Sequence, residues 1–563
     1  MVILGIVAGV SGTGKELKDG GAALLVDGKL VCAIAEERLA RVKRAGGWLR
    51  SARYCLDAAG MSADDVQVVA HSTCCDSIHD VAGDVRQMAA TFPRARIVRA
   101  PHHLSHALYA FHGSPFERAL VVVDDAGGNI DAPVDGGWWS AAREQVSYFE
   151  VDDQACRRLD RDFDEPYAAG FGEVFRAVTY YLGWSGARHA NKTMALSAYG
   201  DAQALGLAPF FSLPSGAGGI LTAVVNDPTA PVDMIARAFG GSVGRLVPPR
   251  LPGEPHGEPH KHLAALLQSS YEDSVAARLR ELSRRWGLRE VCLGGGVAYN
   301  CQANAHIAAQ PGIDGVYVPP APGDTGQSIG NALWAHRRLA RTPIDRASIA
   351  DPYTGRQYDP SAGMDLALPA DLEAQRLRAP SQRAVGRLVA DGLIVGHVHG
   401  RSEIGARALG HRSIFADPRR PYMADRLNVR KGREGMMPFG GTILTSEMAR
   451  LFSGVPCTPY MQFVLDANPE AERCLPAIVH RDRSSRLQSV DRSTCSPWMR
   501  AMLIEFRALT GVGAVLNTSL NGPGEPIVET PDEAVRLLGA GVVDCLVVGD
   551  TLIAPRAAGI AVD

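Results

Sequence analysis

The sequence predicts a mixed α/β protein of more than one domain, and three observations support this prediction. The chain has 563 residues, which is long for a single hydrophobic core. An apolar strand followed by a glycine-bearing turn occurs at Val2–Val10 and again at 119–129 (ALVVVDDAGGN), which suggests a duplicated α/β unit. At 290–310 (EVCLGGGVAYNCQANAHIAAQ) we expect a strand, a glycine turn and a helix.

Turn residues and apolar periodicity predict further elements of the first domain. In GGAALLVDGKLVCAIAEERLAR, two apolar runs flank Asp27-Gly28, which predicts a β-hairpin. PHHLSHALYAFHGS predicts a helix with His102 and His106 in its first turn. VYVPPAPGDTGQSIGNALWAHRRLA predicts a strand and a loop that opens a helix near Ser328.

A change of composition at 341–380 marks the domain boundary. We therefore expect a first domain at 1–345 and a second domain at 351–563, which ends in the strand-like VVDCLVVGDTLIA. Residues near 203–262 are rich in Pro and Gly and predict an irregular insertion in the first domain.

Composition and charge disfavour several functional classes. A net charge of −3 gives no basic field for a phosphate backbone, so we expect no nucleic-acid partner. No stretch reaches the roughly 18 apolar residues of a membrane span, and MVILGIVAGVSGTG lacks the features of a secretory signal. The eleven cysteines form no C-x-x-C pair, so we expect reduced thiols in a cytoplasmic enzyme.

The pair His102 and His106 is a candidate metal site. Residues four apart on a helix project from one face, and carboxylates at strand ends, such as Asp124 and Asp324, could complete a mixed shell for Fe(II), Zn or Mn. The alternative is that the two histidines are ordinary core or surface residues. His103 is expected to be a bystander.

Glycine turns suggest a nucleotide site in the same domain. Gly294-Gly295-Gly296 follows an apolar strand, so the backbone can approach a ligand closely and the next helix offers free N–H donors. The alternative is a tight turn without a ligand. With the acidic turn at 324–326, the two loops resemble those that clasp a nucleotide in the actin, hexokinase and Hsp70 superfamily.

Polar and cationic residues cluster in the second domain. Guanidinium groups bind phosphate in a bidentate manner, and Asn amides can bind a ligand group that carries both N–H and C=O. Any single arginine is more often a solvated surface residue. The clusters are GRSEIGARALGHRS at 400–413, NVRKGREGMMPFG at 428–440 and VLNTSLNGPGEPIV at 515–528, with His480 and Arg486 between the last two.

These segments, in this order, resemble the NodU/CmcH O-carbamoyltransferases, which include the aminoglycoside, cephamycin and ansamycin enzymes. The first-domain segments that carry the resemblance are HHLSHA (102–107), VVVDDAGGN (121–129), NKTMALSAYG (191–200), GGGVAYN (294–300) and VPPAPGDTGQSIG (318–330). The resemblance implies an actin/Hsp70-like (ASKHA) duplicated α/β first domain and a YrdC-like α/β second domain.

The resemblance also implies roles for individual residues. A divalent metal, Fe(II), would bridge the phosphates of ATP, held by His102, His106, Asp124 and Asp324. The nucleotide site would comprise Lys192, Gly294, Gly295, Gly296, Asn300 and Asp324. Carbamoyl phosphate would be bound and cleaved by Arg407, Lys431, His480, Arg486, Asn517 and Thr518. Asp19 would accept the hydroxyl proton, and Lys43 would act near the acceptor.

The chain departs from the family pattern at several positions. Asn191 and Ala195 differ from the motif around Lys192, so a structural role for that lysine is an equal alternative. Met437 replaces an expected cation, and Lys18 replaces an expected histidine. A solvated lysine is an equal alternative for Lys43.

The resemblance implies a reaction in three steps. Carbamoyl phosphate gives carbamate, carbamate attacks the α-phosphate of ATP, and the carbamoyl-adenylate carbamoylates a hydroxyl of a small secondary metabolite with release of AMP. The alternatives are a tRNA threonylcarbamoyl-transfer enzyme and a non-catalytic nucleotide-binding regulator. The acceptor and the oligomeric state stay open, and a homodimer is compatible with the sequence.

Overall fold

A computed structural model describes residues 1–9, 18–72, 81–132, 142–164, 169–185, 189–211, 243–359, 361–492 and 496–560. The chain forms two compact units. The first comprises Met1–Gly20, Leu25–Lys29 and Ala63–Ala350, and the second comprises Gly21–Leu24, Leu30–Ser62 and Asp351–Asp563. The main division falls within the predicted boundary region, but two N-terminal segments belong to the second unit although the sequence prediction assigned all of 1–345 to the first.

The described residues contain the following strands and helices. The strands are β1 (Val2–Val7), β2 (Gly21–Val26), β3 (Lys29–Ala35), β4 (Val68–Ser72), β5 (Arg96–Arg99), β6 (Arg118–Asp124), β7 (Ile130–Ala132), β8 (Ala142–Arg143), β9 (Val146–Asp152), β10 (Cys156–Asp162), β11 (Glu290–Gly294), β12 (Gly315–Tyr317), β13 (Leu372–Arg376), β14 (Val395–Val398), β15 (Arg412–Ala416), β16 (Gly440–Leu444), β17 (Phe452–Ser453), β18 (Val464–Ala467), β19 (Ser484–Val490), β20 (Ala514–Ser519), β21 (Cys545–Val548) and β22 (Thr551–Pro555). The helices are α1 (Glu36–Ala40), α2 (Leu49–Ala59), α3 (Val81–Thr91), α4 (His102–His112), α5 (Phe171–Tyr181), α6 (Ala190–Ser197), α7 (Glu258–Trp286), α8 (Cys301–Ala308), α9 (Asp324–Leu339), α10 (Arg346–Ala350), α11 (Ser381–Ala390), α12 (Met423–Arg430), α13 (Thr445–Leu451), α14 (Pro469–Cys474), α15 (Pro497–Thr510) and α16 (Pro531–Gly539).

Two five-stranded sheets have the same arrangement. Their orders are β3-β2-β1-β4-β5 and β10-β9-β6-β11-β12. In the first sheet β1, β4 and β5 are parallel neighbours, and in the second β6, β11 and β12 are parallel neighbours. The repeated order confirms the predicted duplicated α/β unit, which is the arrangement that the resemblance to the actin and Hsp70 superfamily implied.

Local structure follows the sequence in some places and departs from it in others. Asp27 and Gly28 have φ angles of 47° and 85°, as expected for the predicted hairpin turn. Helix α9 begins at Asp324, four residues before the predicted start near Ser328. The backbone of Gly323, the residue before the helix, is extended. Residues 258–262, predicted to lie in the insertion, begin the 29-residue helix α7, and 212–242 of that insertion lie outside the described residues.

The close contact between α4 and α9 depends on a glycine. A Cβ atom at Gly330 of α9 would lie 2.0 Å from the carbonyl oxygen of Ser105 of α4, so only glycine allows this approach. The contact matters because α4 carries His102 and His106 and α9 begins with Asp324.

The second unit is built on a ten-stranded mixed sheet. Its order is β13-β22-β21-β14-β15-β20-β16-β19-β18-β17. Helices α11 and α15 pack together over this sheet, and their apolar residues, including Leu388, Trp498 and Phe506, share one core with Phe415 and Val515. This burial of apolar area is the main stabilising contribution to the unit. Among the described residues, no helix is long and apolar enough to cross a membrane.

Candidate functional site

The first unit brings two histidines and two aspartates together. His102 and His106 lie one turn apart on α4, Asp125 follows β6, and Asp324 begins α9. Their Nε2 and Oδ atoms all lie within 4.8 Å of one another. His102 Nε2 lies 3.3 Å from Asp125 Oδ2 and 3.5 Å from Asp324 Oδ1, and the corresponding distances for His106 are 3.6 and 3.2 Å. We call these four residues the His/Asp cluster.

The geometry and charge of the His/Asp cluster fit a divalent cation. Metal–ligand bonds of about 2.0–2.2 Å hold neighbouring ligand atoms about 3.0–3.6 Å apart, which matches the observed separations. Burial opposes protonation of His102, but hydrogen bonds to Asp125 and Asp324 outweigh it and raise the pKa of this imidazole to about 10. The two carboxylates therefore favour a positive charge between the four side chains, which either protons or a metal ion can supply.

Side-chain amides hold the backbone at the start of α4. Asn129 Oδ1 accepts a hydrogen bond from the His102 N–H (2.8 Å), and Gln327 Nε2 donates to the His102 carbonyl (3.1 Å). Gln327 Oε1 accepts from Ser72 Oγ (2.9 Å). The Nδ1 atoms of His102 and His106 have no hydrogen-bond partner among the described residues, so contacts to the backbone, rather than to the second ring nitrogens, position the helix.

The prediction that Asp124 belongs to this cluster is wrong. The carboxylate of Asp124 accepts a hydrogen bond from Tyr271 Oη (3.0 Å), and burial raises the pKa of Asp124 well above its usual value. Asp125 takes the expected place. Successive side chains at the end of a strand point to opposite faces of the sheet, so only one of Asp124 and Asp125 can face the two histidines. The sequence alone does not show which one.

The predicted nucleotide residues lie around the end of β11. Gly295 has a φ of 88°, and a Cβ atom there would lie 2.1 Å from the Asp124 carbonyl oxygen, so this glycine is required by packing. Gly294 ends β11, and Gly296 begins a short 3₁₀ turn. Asn300 caps α8 and exchanges two 3.0 Å hydrogen bonds with Gln268. A role for these residues in nucleotide binding stays a prediction.

Two further predicted residues, Lys192 and Asp19, also lie in the first unit. Lys192 lies on α6, with its Nζ 5.8 Å from the centre of the Trp184 ring. Asp19 lies two residues before β2 in the chain and has a φ of 61°. Their catalytic or nucleotide-binding roles stay predictions.

The second unit brings together four cations, which we call the cationic group: Lys43, Arg407, Lys431 and Arg433. Burial, and then the charges of Arg433 and Lys43, lower the pKa of Lys431 well below its usual value. Burial, and then the charge of Arg407, lower the pKa of Arg433 to about 10. No carboxylate of the described residues forms an ion pair with Lys431 or Arg433. The cationic group is therefore a candidate anion site, and Arg433 joins it although it was not among the predicted site residues.

Strand β20 supports the cationic group. Lys431 Nζ donates to the Ser519 carbonyl, to the Asn521 carbonyl (3.0 Å) and to Asn521 Oδ1 (2.9 Å). Asn517 lies on the same strand as Ser519 and is buried. Thr518, between Asn517 and Ser519, is partly exposed. The side chain of Asn521, which lies in the 515–528 segment but was not among the predicted site residues, thus orients the buried lysine.

The contacts of His480 favour a structural role. Its Nε2 lies 3.0 Å from the Phe439 carbonyl oxygen, to which it must donate, and its Nδ1 lies 3.2 Å from Ser484 Oγ. Burial lowers the pKa of His480, which favours the neutral ring. Arg486 lies on β19, opposite Val464 of β18. Their roles in cleaving carbamoyl phosphate stay predictions.

Comparisons with known proteins match two separate regions of the chain. The carbamoyltransferase N-terminus family model matches residues 78–333, which include the His/Asp cluster, and the carbamoyltransferase C-terminus model matches residues 386–555, which include three of the four cations. The chain is 31% identical to nodulation protein NolNO of Sinorhizobium fredii over 96% of this chain and 80% of the relative. It is 32% identical to nodulation protein NolO of Bradyrhizobium diazoefficiens over 82% of this chain and 79% of the relative.

Solved structures match the chain much less well than these relatives do. The activator of 2-hydroxyisocaproyl-CoA dehydratase from Clostridium difficile with bound ADPNP is 14% identical, with a TM-score of 0.33 over 60% of this chain and 95% of the activator. A likeness this low supports no inference about function.

The two matched regions and the relatives establish the class of protein, a group-transferring enzyme. The chain belongs to the carbamoyltransferase family. This confirms the resemblance that the sequence motifs indicated.

Proposed function

We propose that this chain is an ATP-dependent O-carbamoyltransferase that uses carbamoyl phosphate and a small-molecule hydroxyl acceptor. The proposal depends mainly on one observation, the clustering of the cationic group around a buried lysine. A buried lysine surrounded by two further cations, and not ion-paired by any described carboxylate, is costly unless an anion accompanies it. Carbamoyl phosphate is an anion of the right chemistry, since its phosphate suits Arg407 and Arg433 and its carbamoyl group suits an amide such as Asn517.

The chain's residues stabilise the departing phosphate in the first step. Lys43, Lys431 and the two arginines offset the negative charge that develops as the carbamoyl–phosphate bond breaks and water is added. The products are carbamate and inorganic phosphate. Carbamate decomposes in water, so this fragile acid must be kept from bulk solvent until it reacts.

The His/Asp cluster serves the second step. A divalent metal held by His102, His106, Asp125 and Asp324, with Fe(II) as our proposal, would supply Lewis-acid and orienting chemistry to the phosphates of ATP. The two carboxylates and two imidazoles would hold that positive charge in a buried setting, where electrostatic interactions with nearby oxygens are strong. Carbamate then attacks the α-phosphate and pyrophosphate leaves, which gives carbamoyl-adenylate.

The acceptor hydroxyl attacks the carbamoyl carbon in the last step, and AMP leaves. In our proposal Asp19 accepts the hydroxyl proton. The acceptor is a small secondary metabolite, and the reaction needs no nucleic-acid partner.

Mass spectrometry tests this function. We expect that candidate hydroxyl acceptors, incubated with the protein, ATP, carbamoyl phosphate and Fe(II), gain one carbamoyl group, with one AMP released for each product. Omission of carbamoyl phosphate or ATP is the control and should abolish the gain. Release of ADP instead of AMP, or carbamoylation without ATP, would contradict the proposal.

A further inference from the structure

The buried amide of Asn517 presents an oxygen that no described residue satisfies. Its side chain is 1% exposed. Nδ2 donates to Thr442 Oγ1 (2.9 Å), to the Ala408 carbonyl (3.3 Å) and to Gln488 Oε1 (3.4 Å). In the described part of the chain, Oδ1 has no hydrogen-bond donor. A buried acceptor without a protein donor is unfavourable unless a ligand or an ordered water supplies one.

A directed chain of hydrogen bonds fixes this orientation. Thr442 Oγ donates to Gln488 Oε1 (2.9 Å), and Gln488 Nε2 donates to the Leu409 carbonyl (3.1 Å). A backbone carbonyl can only accept, so Leu409 determines which end of the Gln488 amide faces it, and Ala408 does the same for Asn517. Because the Thr442 proton is directed to Gln488, its oxygen must accept from Asn517. A flipped Asn517 would place oxygen against oxygen.

The contacts of the Asn517 amide and of Lys431 involve near chain neighbours of Arg407 and of Asn517, respectively. Ala408, which accepts from Asn517, directly follows Arg407 in the chain. Ser519, whose carbonyl accepts from Lys431, lies two residues from Asn517 on β20. A phosphate bound to these cations would therefore have its substituent near an acceptor that requires an N–H donor.

We propose that Thr442 and Gln488 are positioning residues that make the site selective for carbamoyl phosphate over acyl phosphates without an N–H group. They hold Asn517 Oδ1 toward the ligand, where it accepts a hydrogen bond from the carbamoyl NH₂. A methyl group in the same place would leave the oxygen unpaired, and this asymmetry is the usual basis of strong discrimination. The inference rests on the proposed function, because it assumes that the cationic group binds the phosphate of carbamoyl phosphate.

A matched pair of phosphonates separates recognition of the phosphate from recognition of the amide. Phosphonoacetamide carries a terminal NH₂ and phosphonoacetone carries a methyl group in its place. Calorimetric titration of the full chain should show a preference of about tenfold for phosphonoacetamide. Thr442→Val removes the shortest bond to Asn517 and should reduce this preference about fivefold without weakening phosphonoacetone.

Two variants serve as controls. Thr442→Ser retains the hydroxyl and should restore the preference. Thr458→Val makes the same substitution at another buried threonine, which donates to the Leu487 carbonyl outside this chain of bonds, and should leave the preference unchanged.

Each other outcome has a distinct meaning. Equal binding of both probes by the unmodified protein, or an unchanged preference in Thr442→Val, would overturn the inference and leave the proposed function standing. Equal loss of both probes in Thr442→Val would also overturn it, because Thr442 would then act on the structure of the whole site. Failure of the unmodified protein to bind either probe would contradict the proposed function itself.

Discussion

Asp124 and Asp125 are neighbours in the chain but lie in different surroundings. Asp125 faces His102 and His106, whereas Asp124 accepts a hydrogen bond from Tyr271. We expect Asp125→Asn to weaken Co²⁺ binding about 100-fold or more, because it removes one of two anionic ligands. Asp124→Asn is the matched control and should bind Co²⁺ nearly as the unmodified protein does. Titration followed by the visible absorption of Co²⁺ measures both, and equal losses would contradict the assignment of Asp125.

The lowered pKa of Lys431 predicts that anion binding is accompanied by proton uptake. Burial, with Arg433 and Lys43, lowers its pKa in the folded protein. The unfolded chain therefore binds more protons than the folded chain between the lowered pKa and about 10.5, so the free energy of unfolding rises with pH across that window. A bound anion stabilises the charged lysine and raises its pKa, so binding takes up protons in the same window.

Calorimetry of phosphate binding in two buffers with different ionisation enthalpies measures this uptake. We expect uptake of a fraction of a proton for the unmodified protein and none from this group in Lys431→Met. Lys261→Met, at a lysine paired with Glu258 in the first unit, is the control. No proton uptake by the unmodified protein would contradict the lowered pKa.

Arginines in one short segment have different hydrogen-bond partners, and the local sequence does not predict which partners each one has. Arg412 is buried and donates to four backbone carbonyls, at His399, Gly400, His411 and Glu529. Arg401 likewise donates to the carbonyls of Val31, Gly355 and Thr354. The sequence grouped both with Arg407 because all three lie in one glycine-bearing segment. Only the tertiary partners, some more than 100 residues away, separate a structural guanidinium from a candidate ligand-binding one.

At the scale of elements, the approach of α4 to α9 controls the His/Asp cluster. Gly330→Ala would place a Cβ atom against the Ser105 carbonyl, and backbone atoms on both helices would have to move. We expect a loss of about 1–3 kcal/mol in the free energy of unfolding, together with weaker Co²⁺ binding. Chemical denaturation and Co²⁺ titration measure these effects.

Gly539→Ala is the control for this substitution, because a Cβ atom at Gly539 has no heavy atom within 4 Å. It should leave both quantities nearly unchanged. A Gly330→Ala protein with unmodified Co²⁺ affinity would show that helix separation does not determine the cluster geometry.

The elements that the sequence predicted well are those set by local interactions. The hairpin at Asp27-Gly28 follows from turn residues that tolerate positive φ angles, and α4 follows from apolar periodicity. The assignment of Leu30–Ser62 to the second unit was missed because it depends on distant contacts. Arg38 and Arg41, for example, donate to carbonyls at 403, 405, 526 and 527. That segment also delivers Lys43 to the cationic group.

At the scale of the whole molecule, two family regions contain two different kinds of candidate site. The N-terminal region contains a buried His/Asp cluster suited to a divalent cation, and the C-terminal region contains cations suited to an anion. Our central claim is that these sites perform separate half-reactions. In our proposal, release of inorganic phosphate from carbamoyl phosphate belongs to the cationic group, and release of AMP belongs to the His/Asp cluster.

Parallel measurement of phosphate and AMP release in His106→Ala and Arg407→Ala tests this claim most directly. We predict that His106→Ala still releases phosphate from carbamoyl phosphate but forms no AMP. Arg407→Ala should lose phosphate release, and ammonium bicarbonate, which contains carbamate in equilibrium, should restore its AMP formation. Loss or retention of both products together in each variant would contradict two separate half-reactions.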